Sequence, residues 1–75
     1  EYSRFVNELR KIFPDARVDD ESQSIIIGKY LILYDDRYFY VEPIGKSQYY
    51  EIEHKYIRPE TMAILAKNIM ETIDA

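Results

Sequence analysis

The sequence predicts an α+β fold: an N-terminal helix, an antiparallel sheet of three to five strands and a C-terminal helix, with both helices packed on one sheet face. Two observations predict it. Apolar residues recur at steps of three and four near each end of the chain, and short runs of β-branched and aromatic residues lie between them, separated by turn-forming residues.

The first helix is expected from Tyr2 to Phe13, where Tyr2, Phe5, Val6, Leu9, Ile12 and Phe13 form one stripe. Ser3 is a candidate cap. Pro14 ends the helix, because proline disfavours the α conformation in the residue before it. Glu8 precedes Lys11 at a spacing that allows a weak ion pair on the wet side.

Ala16 to Asp19 reads as a short edge strand, followed by a polar turn, Asp20 to Ser24. Ser24 to Ile27 and Tyr30 to Tyr34 read as strands, either joined by a tight Gly28-Lys29 turn or continuous through a bulge at Gly28. Arg37 to Glu42 resumes the strand pattern after Asp35-Asp36, Pro43 to Ser47 is a loop, and Gln48 to His54 gives a last strand. Pro59 suits the first position of a second helix, whose stripe runs through Met62, Leu65, Ala66, Ile69, Met70 and Ile73.

Which side chains line the sheet face away from the helices depends on the loop after Tyr34, because one residue more or less in a hairpin loop swaps a whole strand's faces. An odd loop, Asp35-Asp36-Arg37, sorts Leu31, Leu33, Phe39 and Val41 onto one face and Tyr30, Ile32, Tyr34, Tyr38, Tyr40 and Glu42 onto the other. A two-residue loop would pair Leu31 with Tyr40 and Leu33 with Tyr38, mixing the two sets. The cleaner sorting favours the odd loop, although Arg37 poorly suits the left-handed position such a loop often needs. Tyr49, Glu51 and Glu53 of the last strand would then join the tyrosines. The expected product is an acidic, tyrosine-rich open face.

Composition bounds the function. With 75 residues the chain holds one hydrophobic core, so residues 1–75 are read as one small domain; opening on Glu1 rather than Met, it is expected to be either a trimmed chain or a piece of a longer polypeptide. The 8 tyrosines, against no tryptophan, suit half-wet surfaces where a hydroxyl meets water or a partner. No cysteine, no signal-like segment and no apolar run long enough to span a bilayer point to a cytoplasmic location without membrane contact. Fourteen acidic against ten basic residues leave a net charge of −4, the wrong sign for nucleic-acid binding by phosphate neutralisation.

Catalytic patterns are missing from the sequence. His54 is the only histidine, no serine sits in a G-x-S-x-G turn, and two glycines cannot build a phosphate cradle. Glu51, Glu53 and His54 are the densest set of potential metal ligands, but strand alternation puts His54 on the face opposite the two glutamates. Neither cofactor, metal nor small-molecule substrate is expected, and no enzyme activity.

The element order is similar to that of double-stranded-RNA-binding domains, in topology only. Such domains look for a basic cluster at the start of the second helix, where this chain has Arg58-Pro59-Glu60-Thr61-Met62. Aromatic residues on an open sheet can stack single-stranded bases, yet Glu42, Glu51 and Glu53 would repel the backbone. The expected function is a protein-interaction module, with Tyr30, Tyr34, Tyr38, Tyr40, Tyr49, Glu42, Glu51 and Glu53 contacting a protein partner or a second copy. The alternative is a small acidic inhibitor that mimics nucleic acid on a nucleic-acid-handling protein. Cross-strand tyrosine pairs also stabilise half-exposed sheets with no partner at all.

Overall fold

The computed structural model describes residues 1–74. Helix α1 (Tyr2–Ile12) leads into a five-stranded antiparallel meander, β1 (Arg17–Asp19), β2 (Ser24–Ile27), β3 (Tyr30–Tyr34), β4 (Tyr38–Pro43) and β5 (Tyr50–Glu53), and α2 (Pro59–Asp74) closes the chain. Each strand pairs with its neighbours in sequence, which leaves β1 and β5 as the two sheet edges.

Local chemistry sets the boundaries. The N-cap of α1 is Glu1 and not Ser3, which lies inside the first turn, and the helix stops at Phe13, held extended (φ −125°) by the proline that follows. Lys11 meets Glu8 at 2.8 Å on its exposed side. Pro59 occupies the first position of α2, where its missing N–H costs nothing, and Glu60 follows in the first turn. Between β2 and β3 the loop is Gly28-Lys29 with Ile27 opposite Tyr30, so the tight turn, and not a bulged continuous strand, is what forms. Gly28 has φ +57° while Lys29 does not enter the left-handed region, the sign pattern of a type II′ turn.

The helices cover one sheet face. Phe5, Val6 and Leu9 of α1 and Met62, Ala63, Ala66 and Met70 of α2 meet Ile25, Ile27, Tyr30, Ile32, Phe39 and Val41 in one cluster. Phe5, Leu9, Ile25, Ile32, Phe39 and Val41 are fully buried. Each such side chain contributes about 1.5–3 kcal/mol relative to an exposed one. The Phe5 ring bridges the layers, with its centroid 5.1 Å from that of Phe39 and 5.7 Å from that of Tyr34.

The register between β3 and β4 overturns the odd-loop expectation. Tyr34 pairs with Phe39, Leu33 with Tyr40 and Leu31 with Glu42, so an even number of residues, Asp35 to Tyr38, separates the first paired positions, the last of them already in β4. The cause is Asp35. Its Oδ1 accepts the main-chain N–H groups of Arg37 (2.9 Å) and Tyr38 (2.7 Å), and its own N–H donates to the Tyr38 carbonyl (2.9 Å), which draws Tyr38 into the turn. With an even count, Leu31 and Leu33 turn to the open face, and Tyr30 and Tyr34 turn to the helices.

Candidate functional site

Alternation and register together assign the open face. It carries Arg17 and Asp19 of β1, Ser24 and Ile26 of β2, Leu31 and Leu33 of β3, Tyr38, Tyr40 and Glu42 of β4, and Glu51 and Glu53 of β5, with Arg17 opposite Ile26, Ile26 opposite Leu31, Leu33 opposite Tyr40, Tyr40 opposite Glu51 and Tyr38 opposite Glu53. Tyr49, just before β5, leans onto the same side, its ring 5.9 Å from that of Tyr40 and tilted 67° to it. Tyr38 continues the row at 6.1 Å from Tyr40. Leu33 and Ile26 are 37 and 38% exposed and Tyr49 57%, so no part of the fold covers this aliphatic and aromatic strip.

Of the eight residues expected to make contacts, six, Tyr38, Tyr40, Tyr49, Glu42, Glu51 and Glu53, are brought together here. The other two belong to the helix side. Tyr30 is only 6% exposed and its hydroxyl donates to the Met70 carbonyl near the end of α2 at 3.2 Å. Burial, and then the nearby Asp74 carboxylate, hold that hydroxyl above the ordinary tyrosine range. The Tyr34 ring lies among Tyr2 (5.2 Å), Phe5 (5.7 Å) and His54 (4.6 Å), and burial raises its pKa too, followed by the charges of Glu1, Asp36 and Asp35.

Leu31 and Leu33 are the face residues that the odd-loop expectation placed on the other side, and Ile26 joins them without having been assigned to either face. The signal that would have found them is Asp35 itself, since an aspartate ahead of two main-chain donors favours a turn that closes Asp35 against Tyr38.

The polar groups of the face divide into satisfied and unsatisfied ones. Arg37 reaches across from the hairpin tip to Glu53 (Nε to Oε2, 3.1 Å) and lies over the Tyr38 ring at 5.4 Å from its centroid. The Tyr40 hydroxyl donates to Asp35 Oδ2 at 3.2 Å. Burial and that bond push the Tyr40 phenol up. Glu42 is half-buried and makes no ion pair or side-chain hydrogen bond among the described residues. A shallow depression of about 260 Å³, lined by Leu33, Tyr40, Glu42 and Tyr49, opens beside it.

His54 lies on the opposite side from Glu51 and Glu53, stacked on Tyr34 within 13° of parallel. Among the described residues no group of three or more histidine, aspartate or glutamate side chains is placed to hold a metal ion, and no helix is long and apolar enough to cross a membrane. In comparisons with protein-family models, curated proteins and solved structures, the chain matches none. Any functional reading rests on the face.

Proposed function

We propose that this protein is a non-catalytic interaction module that docks a protein partner on its open sheet face, through Leu33, Tyr38, Tyr40 and Tyr49 flanked by Glu42, Glu51 and Glu53. The observation that carries the reading is the uncovered strip itself. Leucine and isoleucine at the centre of a sheet face gain nothing from water, and tyrosine beside them is the side chain most enriched in protein contacts. The glutamates around the strip favour a partner surface that is basic at its rim.

The same glutamates support a second reading, an acidic protein that occupies the basic groove of a nucleic-acid-handling protein. Salt separates the two: occupancy of a nucleic-acid groove weakens steeply with ionic strength, whereas docking on the apolar strip weakens only by the share its rim charges contribute.

The test is sedimentation equilibrium over a range of concentrations, with Leu33→Arg beside the native chain, then affinity capture with both forms. Leu33 is outside the core, so Leu33→Arg keeps the fold. Loss of self-association or of the captured partner in that variant supports the reading; identical behaviour of the two forms removes it.

A further inference from the structure

Resting on that reading of the face, we propose that the corner formed by Tyr40, Tyr49 and Glu42 above Leu33 is a binding site for a lysine ammonium group of the partner protein. Three observations carry it. The two rings stand at 67° with centroids 5.9 Å apart, so they form adjoining walls rather than a closed stack, and the depression beside them is open to solvent. An ammonium against aromatic faces is attracted by their quadrupoles, and the attraction grows as water is excluded.

The second observation is charge. Glu42 brings a half-buried carboxylate to this corner, and no cation of the described residues pairs with it. Elsewhere the chain supplies its own cations to its tyrosines: Lys29 lies 5.8 Å from the Tyr30 ring, Arg37 5.4 Å from Tyr38 and Lys55 5.3 Å from Tyr56. None is placed over Tyr40 or Tyr49. On the same face Glu53 already holds Arg37; Glu51 is also without an ion pair among the described residues but is exposed to water and does not line the depression, so Glu42 is the half-buried carboxylate left without a cation.

Third, the Tyr40 wall of the corner is set before a ligand arrives. The hydroxyl of Tyr40 is tied to Asp35, whose carboxylate is itself fixed by two main-chain N–H groups, so the ring has little freedom to lose on binding. Leu33 offers an apolar wall for the methylene stem of a lysine, which buries its carbons while its charge meets the carboxylate. A compact ammonium suits a corner with one carboxylate; a guanidinium spreads its charge over a plane and pairs best with a carboxylate in that plane.

The probe is an end-capped pentalysine peptide, titrated into the protein at about pH 7 and low salt and followed by amide chemical shifts, with penta-arginine as the comparison. Saturable shifts centred on Leu33, Tyr40, Glu42 and Tyr49 are expected. Glu42→Gln and Tyr49→Ala, both outside the core, should each weaken binding about ten-fold while unfolding at the native temperature. Shifts that spread over the acidic turns at Asp19–Glu21 and Asp35-Asp36, or binding unchanged in Glu42→Gln, overturn the site. Tighter penta-arginine binding at the same residues overturns the lysine assignment. If pentalysine leaves the corner untouched while Leu33→Arg still abolishes association, the lysine site falls and the docking face stands; if Leu33→Arg changes nothing, the face falls with it.

Discussion

His54 and Asp35 are joined across the end of the sheet: the imidazole Nε2 lies 2.7 Å from the Asp35 carbonyl oxygen. A carbonyl only accepts, so Nε2 carries the hydrogen. His54 is tied to the same turn a second time, since its main-chain N–H donates to the carbonyl of Arg37 at 3.0 Å. The end of β5 is thereby fastened to the β3–β4 hairpin. His54→Phe keeps the stack on Tyr34 but strips the carbonyl of its donor, and should cost about 1 kcal/mol. His54→Ala also removes the stacked ring and should cost about 2 kcal/mol or more, as read by urea unfolding.

Asp35 should make stability depend on acid. Its carboxyl is held below the ordinary aspartate range first by the N–H of Tyr38, then by that of Arg37, with the Tyr40 hydroxyl assisting. A depressed folded-state pKa contributes stability that is present above the unfolded value and is lost as pH falls through the folded one. Unfolding midpoints measured from about pH 5 down to about pH 2 should therefore fall for the native chain, and fall less for Asp35→Asn, which keeps the shape but not the titration. Asp19, held low by the Ser22 hydroxyl and by the Ser22 and Glu21 amides, adds to the slope that remains.

Gln23 is the one non-glycine residue among those described with a left-handed backbone, at φ +52°, in the turn between β1 and β2. Its carbonyl accepts the N–H of Tyr34 at 3.1 Å, which locks the conformation. Gln23→Gly should stabilise the protein by about 0.5 kcal/mol, the relief of strain exceeding the extra freedom of the unfolded chain. Gly28→Ala should do the opposite by about 1 kcal/mol, for although open space surrounds a Cβ there, its φ of +57° is a glycine conformation. Thermal melts of the two variants check both signs.

Three aromatic substitutions separate the faces. Phe39, fully buried against Phe5, should cost about 3–5 kcal/mol when replaced by alanine, as much as the whole stability expected of a domain this small, and circular dichroism should show Phe39→Ala unfolded. Tyr30→Phe loses only the bond to Met70 and should lower the melting midpoint by about 4 °C. Tyr38→Phe, on the open face, should leave it unchanged.

Periodicity made both helices legible and Pro59 marked the entry of α2, because each depends on residues close in sequence, whereas Gly28 fits a tight turn and a bulge equally well until the pairing of Ile27 with Tyr30 is seen. The two faces of β3 and β4 were not legible, for a physical reason. Alternation fixes which residues of one strand share a side, but the relative phase of two strands is decided by the loop between them, and here by the oxygens of one aspartate. Tyrosine then hides the error, since its ring accepts burial and its hydroxyl accepts water. Tyr30 turns to the helices with the register, and its hydroxyl is satisfied there by the carbonyl of Met70 near the end of α2, a partner forty residues away.

The strand order has a consequence for how the chain folds. All four strand pairings join neighbours in sequence and close loops of only a few residues, whereas α1 and α2 contact each other across the length of the chain. Closing that long separation carries the larger entropic cost. The hairpins centred on Gly28 and Asp35 are therefore the expected nucleus, with the helix layer docking last. Substitutions at these turns should slow folding, while changes at Phe5 or Met62 should act mainly by hastening unfolding.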